Sequence, residues 1–354
     1  MEKGRHAERP KQIPAKGWKE VLIRVKDNFT SDYLDVVSAG VGFYFFLALF
    51  PLIAASIAIY GLIFDPQEVE QHIEGLAGAL PQEAHTLISQ GLQNLVEQSE
   101  QGLGWALVIS ILVSLWSANQ GTKAVFDGVN IAYNEKIERS FIKNNLLGFA
   151  VTLGGIVVGL ISAVLVIGFP AVVGRLGLPE TLTGILSFVR WPLLFAIVIF
   201  SFGVIYKVSP DRENPKFRWT SPGAVFATCL WIAGSLLFSL YVDNFGDFDA
   251  TYGSVAAVII LMLWFQLTAI SILIGAEINS ELEHQTSKDT TTGEPHPMGE
   301  RGAWHADHVA KTEEKEEEEK EEKHKQREPA KRKKTRRAGG KIRKPNDFRD
   351  KSDN

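Results

Sequence analysis

Long stretches free of Asp, Glu, Lys and Arg alternate with charged segments through the middle of this chain. An uncharged apolar run of about 18 residues or more is typical of a transmembrane helix, because a helix rises about 1.5 Å per residue and must cross roughly 30 Å of hydrocarbon. The runs are continuous rather than alternating, which favours helices over barrel strands. The pattern predicts six spans, over residues 38–64, 102–122, 145–173, 183–206, 219–241 and 251–276.

The basic residues predict how these helices are threaded. Of the 37 Lys and Arg, all but Arg175 and Arg190 fall in the two terminal segments and in the second and fourth loops. Loops rich in Lys and Arg stay on the cytoplasmic side of a membrane. We therefore expect both termini to be cytoplasmic, in an all-α, polytopic membrane protein.

The segment before the first span predicts one further helix. Apolar residues recur at steps of three or four over residues 18–37, with charged residues between them, and this spacing is typical of an amphipathic helix. Residues 1–37 would then form a cytoplasmic segment whose helix lies on the membrane surface or packs on the cytosolic loops. The acidic loop over residues 65–100 predicts two short helices that cap the outer face.

The composition changes after the last span. Residues 286–354 contain a Glu/Lys-rich run and then a strongly basic end. A chain with so little apolar surface is expected to be a disordered, charged cytoplasmic tail, separate from the membrane domain of residues 38–285. Its basic end could hold anionic lipid head groups or simply be solvated, and we expect no specific binding of nucleic acid.

Motifs for chemistry are scarce. The sequence lacks a Gly-rich phosphate loop and a His-Glu-x-x-His pair, and none of its eight His lies in a predicted span. The pair His305 and His308 resembles half of a metal-binding motif, but it falls in the predicted disordered tail and is interpreted as chance. We expect no enzyme activity, no catalytic residues, no metal and no cofactor.

Polar residues at membrane depth are the remaining candidates for function. Pro51 falls midway along the first span, where a break can mark a substrate site or a simple kink. Gln266 lies inside the sixth span and must find a partner or face water. Asn119 and Lys123 at the inner end of the second span, with Glu277 after the sixth, are candidates for transport or gating, and Lys123 is expected to pair with Glu277. Ordinary interfacial polarity accounts for these residues as well.

A second polar group is predicted at the outer face. Asp243, Asp247 and Asp249, followed by Tyr252, precede the sixth span and would form an outer entry that attracts cations.

Three stretches carry a resemblance to a known family. They are the run from Gly42 to Pro51, the run from Leu115 to Asn134, and the segment from Thr251 to Ser254 with its continuation at Gly275 to Asn279. In order and spacing they resemble the YihY/BrkB family, often labelled ribonuclease BN, over roughly residues 20–285. The resemblance implies a multi-pass protein of the bacterial cytoplasmic (inner) membrane, and it supplies no catalytic residues.

Three functions are therefore weighed. The first is a transporter or flippase-like permease for a small or lipidic solute that the sequence does not identify. The second is a non-transporting scaffold in the lipid bilayer that recruits partners through the cytoplasmic tail. The third is a ribonuclease, retained only because of the family label, since clustered metal ligands are not evident in the sequence.

Overall fold

The computed structural model describes residues 3–63, 103–169, 173, 179–245 and 255–310. Among these residues the fold is all-α, as predicted, with one isolated antiparallel bridge between Pro215 and Thr291. A short 3₁₀ turn precedes the helices, which are α1 (Ala15–Ser31), α2 (Leu34–Ile63), α3 (Leu103–Ala132), α4 (Phe141–Ala163, continued by a π-helical turn Val164–Gly168), α5 (Glu180–Val208), α6 (Phe217–Phe245), α7 (Val255–His284) and α8 (Trp304–Asp307).

Each of the six predicted spans coincides with one of the long helices α2 to α7. By length and hydropathy, four helices in the described part of the chain can cross a membrane, namely α4 to α7. A fifth is added if α1 and the first part of α2, which are bent by 67° relative to each other, count as one span. That all six helices cross the bilayer stays a prediction.

Helix α7 occupies the centre of this arrangement. It contacts α1, α2, α3, α6 and α8, while α2 also packs on α3, α3 on α4, and α5 on α6. The N-termini of α2, α4 and α6 and the C-termini of α3, α5 and α7 meet at one end, which we call the base. The base is the end that the charge pattern predicts to be cytoplasmic.

Apolar side chains dominate the outward faces of the long helices. In a water-soluble fold most of them would be buried, but lipid solvates them as well as a protein interior does. Strongly exposed examples on α4, α5 and α6 include Leu146, Leu160, Phe188, Leu236 and Leu237. This surface is that of an integral membrane protein.

Two buried apolar clusters hold the base together. The larger joins α2, α3, α5, α6 and α7, with Tyr133, Tyr206 and Leu273 fully buried at its centre. In the smaller cluster, α1 packs against both α6 and α7, through Val21, Trp219 and Leu282 and the residues around them. The α7 helix contributes to both clusters, so the base forms one continuous packed body.

The amphipathic helix is shorter than predicted. The chain breaks at Asp32 and Tyr33, where Tyr33 takes a positive φ of 52°, so that Val37 belongs to α2 rather than to α1. Val21 and Val25 of α1 are buried against α7. Of the two predicted placements, the structure therefore supports a helix packed on the protein, although Leu22 and Ile23 leave an apolar face exposed.

The sequence predicts a disordered tail from residue 286 onward, whereas the structure describes residues 286–309 as a folded segment. These residues fold back against the base, and they are held largely by polar contacts that apolar periodicity does not reveal. Arg301 is buried and donates hydrogen bonds to the carbonyl groups of Ala306 (2.6 Å) and Ser287 (2.9 Å). Thr286 donates to the carbonyl of Ala7 (2.7 Å), which ties this segment to the N-terminus.

Two other predicted regions lie outside the described residues. They are the outer cap over residues 65–100 and the charged tail over residues 311–354. Both stay predictions from the sequence.

Candidate functional site

Polar residues spaced one helical turn apart on α7 meet a matching set on α1. Arg24 pairs with Glu281 and also donates to the side-chain oxygen of Gln285 (2.7 Å). Asn28 donates to Glu281 Oε1 (2.9 Å) and to Glu277 Oε2 (3.3 Å). The other carboxyl oxygen of Glu277, Oε1, is buried and meets no N–H or hydroxyl donor. The carboxyl group of Asp32 lies close enough to share a hydrogen bond with Glu277, so these two acidic side chains face each other.

A second ion pair lies beside the first. Arg212, in the loop between α5 and α6, donates to both carboxylate oxygens of Glu283 (2.7 and 3.0 Å), and both side chains are fully buried. Thr290 donates to Glu283 Oε2 (2.6 Å). The Arg212 guanidinium lies over the ring of Tyr133 at 4.4 Å, and burial raises the pKa of that phenol well above its ordinary value. This pair therefore joins α7 to a loop and to the folded segment after α7.

Two asparagines hydrogen-bond to backbone groups at the helix ends near these ion pairs. Asn279 of α7 accepts a hydrogen bond from the backbone N–H of Gly223 (2.7 Å) and donates to the carbonyl of Thr220 (3.0 Å). Asn130 of α3 accepts from the backbone N–H of Asp211 (2.8 Å) and donates to the carbonyl of Phe126 (2.8 Å). Both side chains are buried and satisfied, so their role is to position the helices.

Between α3 and α4 runs a row of polar side chains that we call the polar seam, comprising Asn119, Thr122, Lys123, Asn145 and Thr152. Asn119 and Lys123 both donate to Asn145 Oδ1, at 3.2 and 3.3 Å. Thr122 and Thr152 share a hydrogen bond of 2.7 Å. Thr152 lies 11 residues into α4, which places it roughly 16 Å from the start of that helix. The Oδ1 atom of Asn119 is buried and has no partner.

The predicted site residues do not form one cluster. Lys123 does not pair with Glu277 as expected, because Lys123 belongs to the polar seam whereas Glu277 faces Asn28 of α1. Gln266 makes a long contact (3.5 Å) with the carbonyl of Asp35, at the crossing of α2 and α7. At this distance the contact is at most a weak hydrogen bond, and the role of Gln266 stays a prediction.

The remaining candidate residues lie partly or wholly outside the part of the chain that the structure describes. The helical assignment of α2 continues through Pro51, so the structure shows no interruption of the span at this residue. Asp243 lies in the last turn of α6, with a side chain outside the described part. Asp247, Asp249 and Tyr252 lie outside the described residues, and the outer entry stays a prediction.

Several residues of the base escaped sequence analysis. Arg24 and Asn28 are four residues apart on α1, as are Glu277 and Glu281 on α7, so each pair lies on one face of its helix. That matched spacing was a signal for their contact. His305, dismissed as part of a disordered tail, is instead fully buried against His284, and burial lowers the pKa of its imidazole to about 3.

Long helices with apolar outward faces, joined at the base by buried polar contacts, define a multi-pass integral membrane protein. The chain belongs to the family described as Virulence factor BrkB, whose family model matches residues 25–299. The resemblance noted in the sequence is thereby confirmed.

Curated relatives agree with this assignment. The chain is 31% identical over 256 residues to a Bacillus subtilis protein named "Putative ribonuclease-like protein YfkH", covering 71% of this chain and 90% of the relative. It is 28% identical over 228 residues to a UPF0761 membrane protein of Idiomarina loihiensis (61% and 74%), and 26% identical over 261 residues to one of Haemophilus influenzae (72% and 92%). No solved structure matches the chain.

Proposed function

We propose that this membrane protein is a permease and that solutes move along the polar seam between α3 and α4. The observation that carries the proposal is the seam itself, in which five polar side chains extend from the base toward the middle of the predicted membrane span. Polar and ionisable residues within a membrane are costly, and they commonly mark the path of a substrate or ion.

The hydrogen bonds of the seam support a transport role over a purely structural one. Thr122 and Thr152 satisfy each other, as structural hydroxyls do. Asn119, in contrast, leaves Oδ1 buried and without a donor. Asn119 Oδ1 lies directly against Gly148 of α4, where no side chain intervenes. A passing solute that separates α3 and α4 and donates a hydrogen bond would satisfy this acceptor.

Lys123 indicates the chemistry that such a solute would have. Its ammonium group carries three donors, and its contacts include Asn145 Oδ1 at 3.3 Å and the ring of Phe141 at 5.9 Å. The carboxylate of Asp127, one turn further along α3, also attracts it. None of its described contacts is a direct ion pair, so its positive charge can still act on an anion. The solute proposed for this path is therefore an anionic one, either a small molecule or a lipid head group.

Replacing Asn119 with leucine is expected to reduce transport about tenfold, because the substitution removes the buried amide that a solute would contact. The measurement uses the purified full-length protein in liposomes. One arm follows movement of a fluorescent phosphatidylglycerol between leaflets, and the other follows uptake of a panel of radiolabelled organic anions. The two arms distinguish a lipid from a soluble substrate.

Thr228→Val is the matched control for this experiment. Thr228 is fully buried in α6, but its hydroxyl donates only to the carbonyl of Ala224 in its own helix (2.8 Å), so its loss should leave transport unchanged. Equal rates in Asn119→Leu and the wild-type protein would remove the seam as a pathway. A wild-type protein that moves no probe in either arm would favour the scaffold hypothesis.

Glu277→Gln tests whether the base takes part in transport. The substitution keeps the shape of the side chain and its contact with Asn28, but it replaces a carboxyl group that can bind and release a proton with a neutral amide that cannot. If a solute or coupling ion passes this carboxylate, transport in the same liposome assay should fall roughly tenfold to a hundredfold, the effect of losing a charge-assisted hydrogen bond. Transport at the wild-type rate would assign Glu277 to packing alone.

A further inference from the structure

Three potential metal ligands converge where α7 ends. Glu281 and His284 lie three residues apart on α7, and His305 reaches them from α8 in the segment that folds back on the base. One ligand atom from each residue lies within 4.8 Å of the other two. We propose that Glu281, His284 and His305 bind a divalent transition-metal ion, of which Zn²⁺ is the best match, and that this ion fastens residues 286–309 to the end of α7.

Each of the two imidazoles has one ring nitrogen that lacks a hydrogen-bond partner in the protein. The Nδ1 atoms of His284 and His305 are both buried and without a hydrogen-bond partner. His284 Nδ1 approaches a carboxylate oxygen of Glu281 only to 3.5 Å, which is too long for a good hydrogen bond. His305 as a whole is only 1% exposed, and a buried ring nitrogen without a partner is costly unless something satisfies it. A metal ion would satisfy both rings at once.

The donor set favours a particular class of ion. Two imidazoles and one carboxylate are ligands that Zn²⁺ accepts in proteins, with bonds of about 2.0–2.2 Å. Tetrahedral ligands at that distance lie roughly 3.4 Å apart, so binding would draw these three atoms together by at most about 1.4 Å. Ca²⁺ and Mg²⁺ are a poor match, because they prefer oxygen ligands throughout. Three protein ligands leave a fourth position of the ion for water.

Neighbouring side chains already hold the ligands from behind. Arg24 and Asn28 contact the carboxylate of Glu281. The side-chain amide of Asn134 lies 3.4 Å from Nε2 of His305. When the oxygen of this amide faces Nε2, it accepts the Nε2–H of His305 and leaves Nδ1 unprotonated for the ion. Hydrogen bonds of this kind orient the ligands of metal sites and raise their affinity for the ion.

Solvent can reach one edge of the cluster. The side chain of His284 is 16% exposed, which gives an ion a route into an otherwise closed cluster.

Metal binding is tested with full-length protein carrying a tag without histidine, stripped with a chelator and titrated with Zn²⁺ against a chromophoric competitor. We expect one equivalent to bind at micromolar or lower concentration, and Co²⁺ to give the visible absorption of a tetrahedral complex. His284→Gln, His305→Gln and Glu281→Gln should each weaken binding at least about tenfold. Binding in these variants as tight as in the wild type would overturn the proposal, as would no binding to the wild type.

Matched controls lie within the same folded segment. His296 and His308 are exposed, so His296→Gln and His308→Gln should bind Zn²⁺ as the wild type does. A second measurement needs no variant at all. Zn²⁺ should slow cleavage by trypsin after Lys288 and Arg301 in the stripped wild-type protein, because the ion fastens the segment that holds both sites. Equal cleavage with and without Zn²⁺ would count against the site even if every ligand variant failed to fold.

Discussion

Replacing Arg212 with methionine is expected to lower the free energy of unfolding by about 3–5 kcal/mol. The Glu283 carboxylate is fully buried, and Arg212 is its charged partner through two hydrogen bonds. Methionine keeps much of the apolar stem but leaves the carboxylate with only Thr290 as a donor among its described contacts. A charge left uncompensated in the interior is one of the largest single penalties a fold can suffer. The thermal midpoint in detergent, read by size-exclusion chromatography after heating, measures the loss.

A double substitution separates the cost of an unpaired charge from the value of the pair. Buried ion pairs gain little over apolar residues of similar volume, because removing both charges from water offsets their attraction. Arg212→Met combined with Glu283→Leu should therefore regain most of the stability that the single substitution loses. Arg218→Met, at an exposed position near the start of α6, is the control and should change the midpoint little. A single substitution at Arg212 as mild as this control would show that the pair is not buried in solution.

This ion pair also shows what the sequence could and could not predict. The long helices were predictable because lipid requires each crossing backbone to satisfy its own hydrogen bonds, and that requirement leaves a continuous apolar run in the sequence. Arg212 and Glu283 are 71 residues apart. Nothing in local periodicity indicates that a loop arginine and a carboxylate in the last turn of α7 will meet.

The segment after α7 illustrates the same difference. Its composition predicts disorder, since it holds few apolar residues to bury. The structure orders it through polar side chains that serve the backbone, such as Asp307, which accepts from the backbone N–H groups of Gly299 (2.7 Å) and Arg301 (3.0 Å). Composition records how much apolar surface a chain can bury, but it does not record how well its polar groups can satisfy one another.

The candidate site was predictable only in part. Asn119, Lys123 and Glu277 were identified from polarity near the span ends, and all three prove to lie in polar contacts of the helix bundle. Their grouping was wrong, because the expected pairing of Lys123 with Glu277 ignored α1. That helix inserts Asn28 beside Glu277, and its position depends on apolar packing against α7 rather than on any charge.

The close crossing of α5, α6 and α7 yields the second large expected effect. A Cβ atom at Gly275 would lie 2.7 Å from the carbonyl oxygen of Gly223 and 2.8 Å from Cβ of Ala227, and it would also meet the hydroxyl of Tyr206. Backbone cannot move aside as the end of a flexible side chain can, so the helices must separate. Gly275→Ala is expected to destabilise the protein by about 1–3 kcal/mol, the usual cost of overpacking a core, and Gly275→Val by more.

Gly154→Ala and Gly154→Val are the matched controls for this crossing. Gly154 also lies within a long apolar helix, but nothing lies within 4 Å of a Cβ built there. Alanine has the higher helix propensity, so Gly154→Ala should leave the thermal midpoint unchanged or raise it slightly. Because both positions lie in helices of similar hydropathy, any difference between the two series reports on helix contact rather than on propensity. Equal midpoints for the Gly154 and Gly275 variants would mean that α6 and α7 do not approach this closely in the membrane.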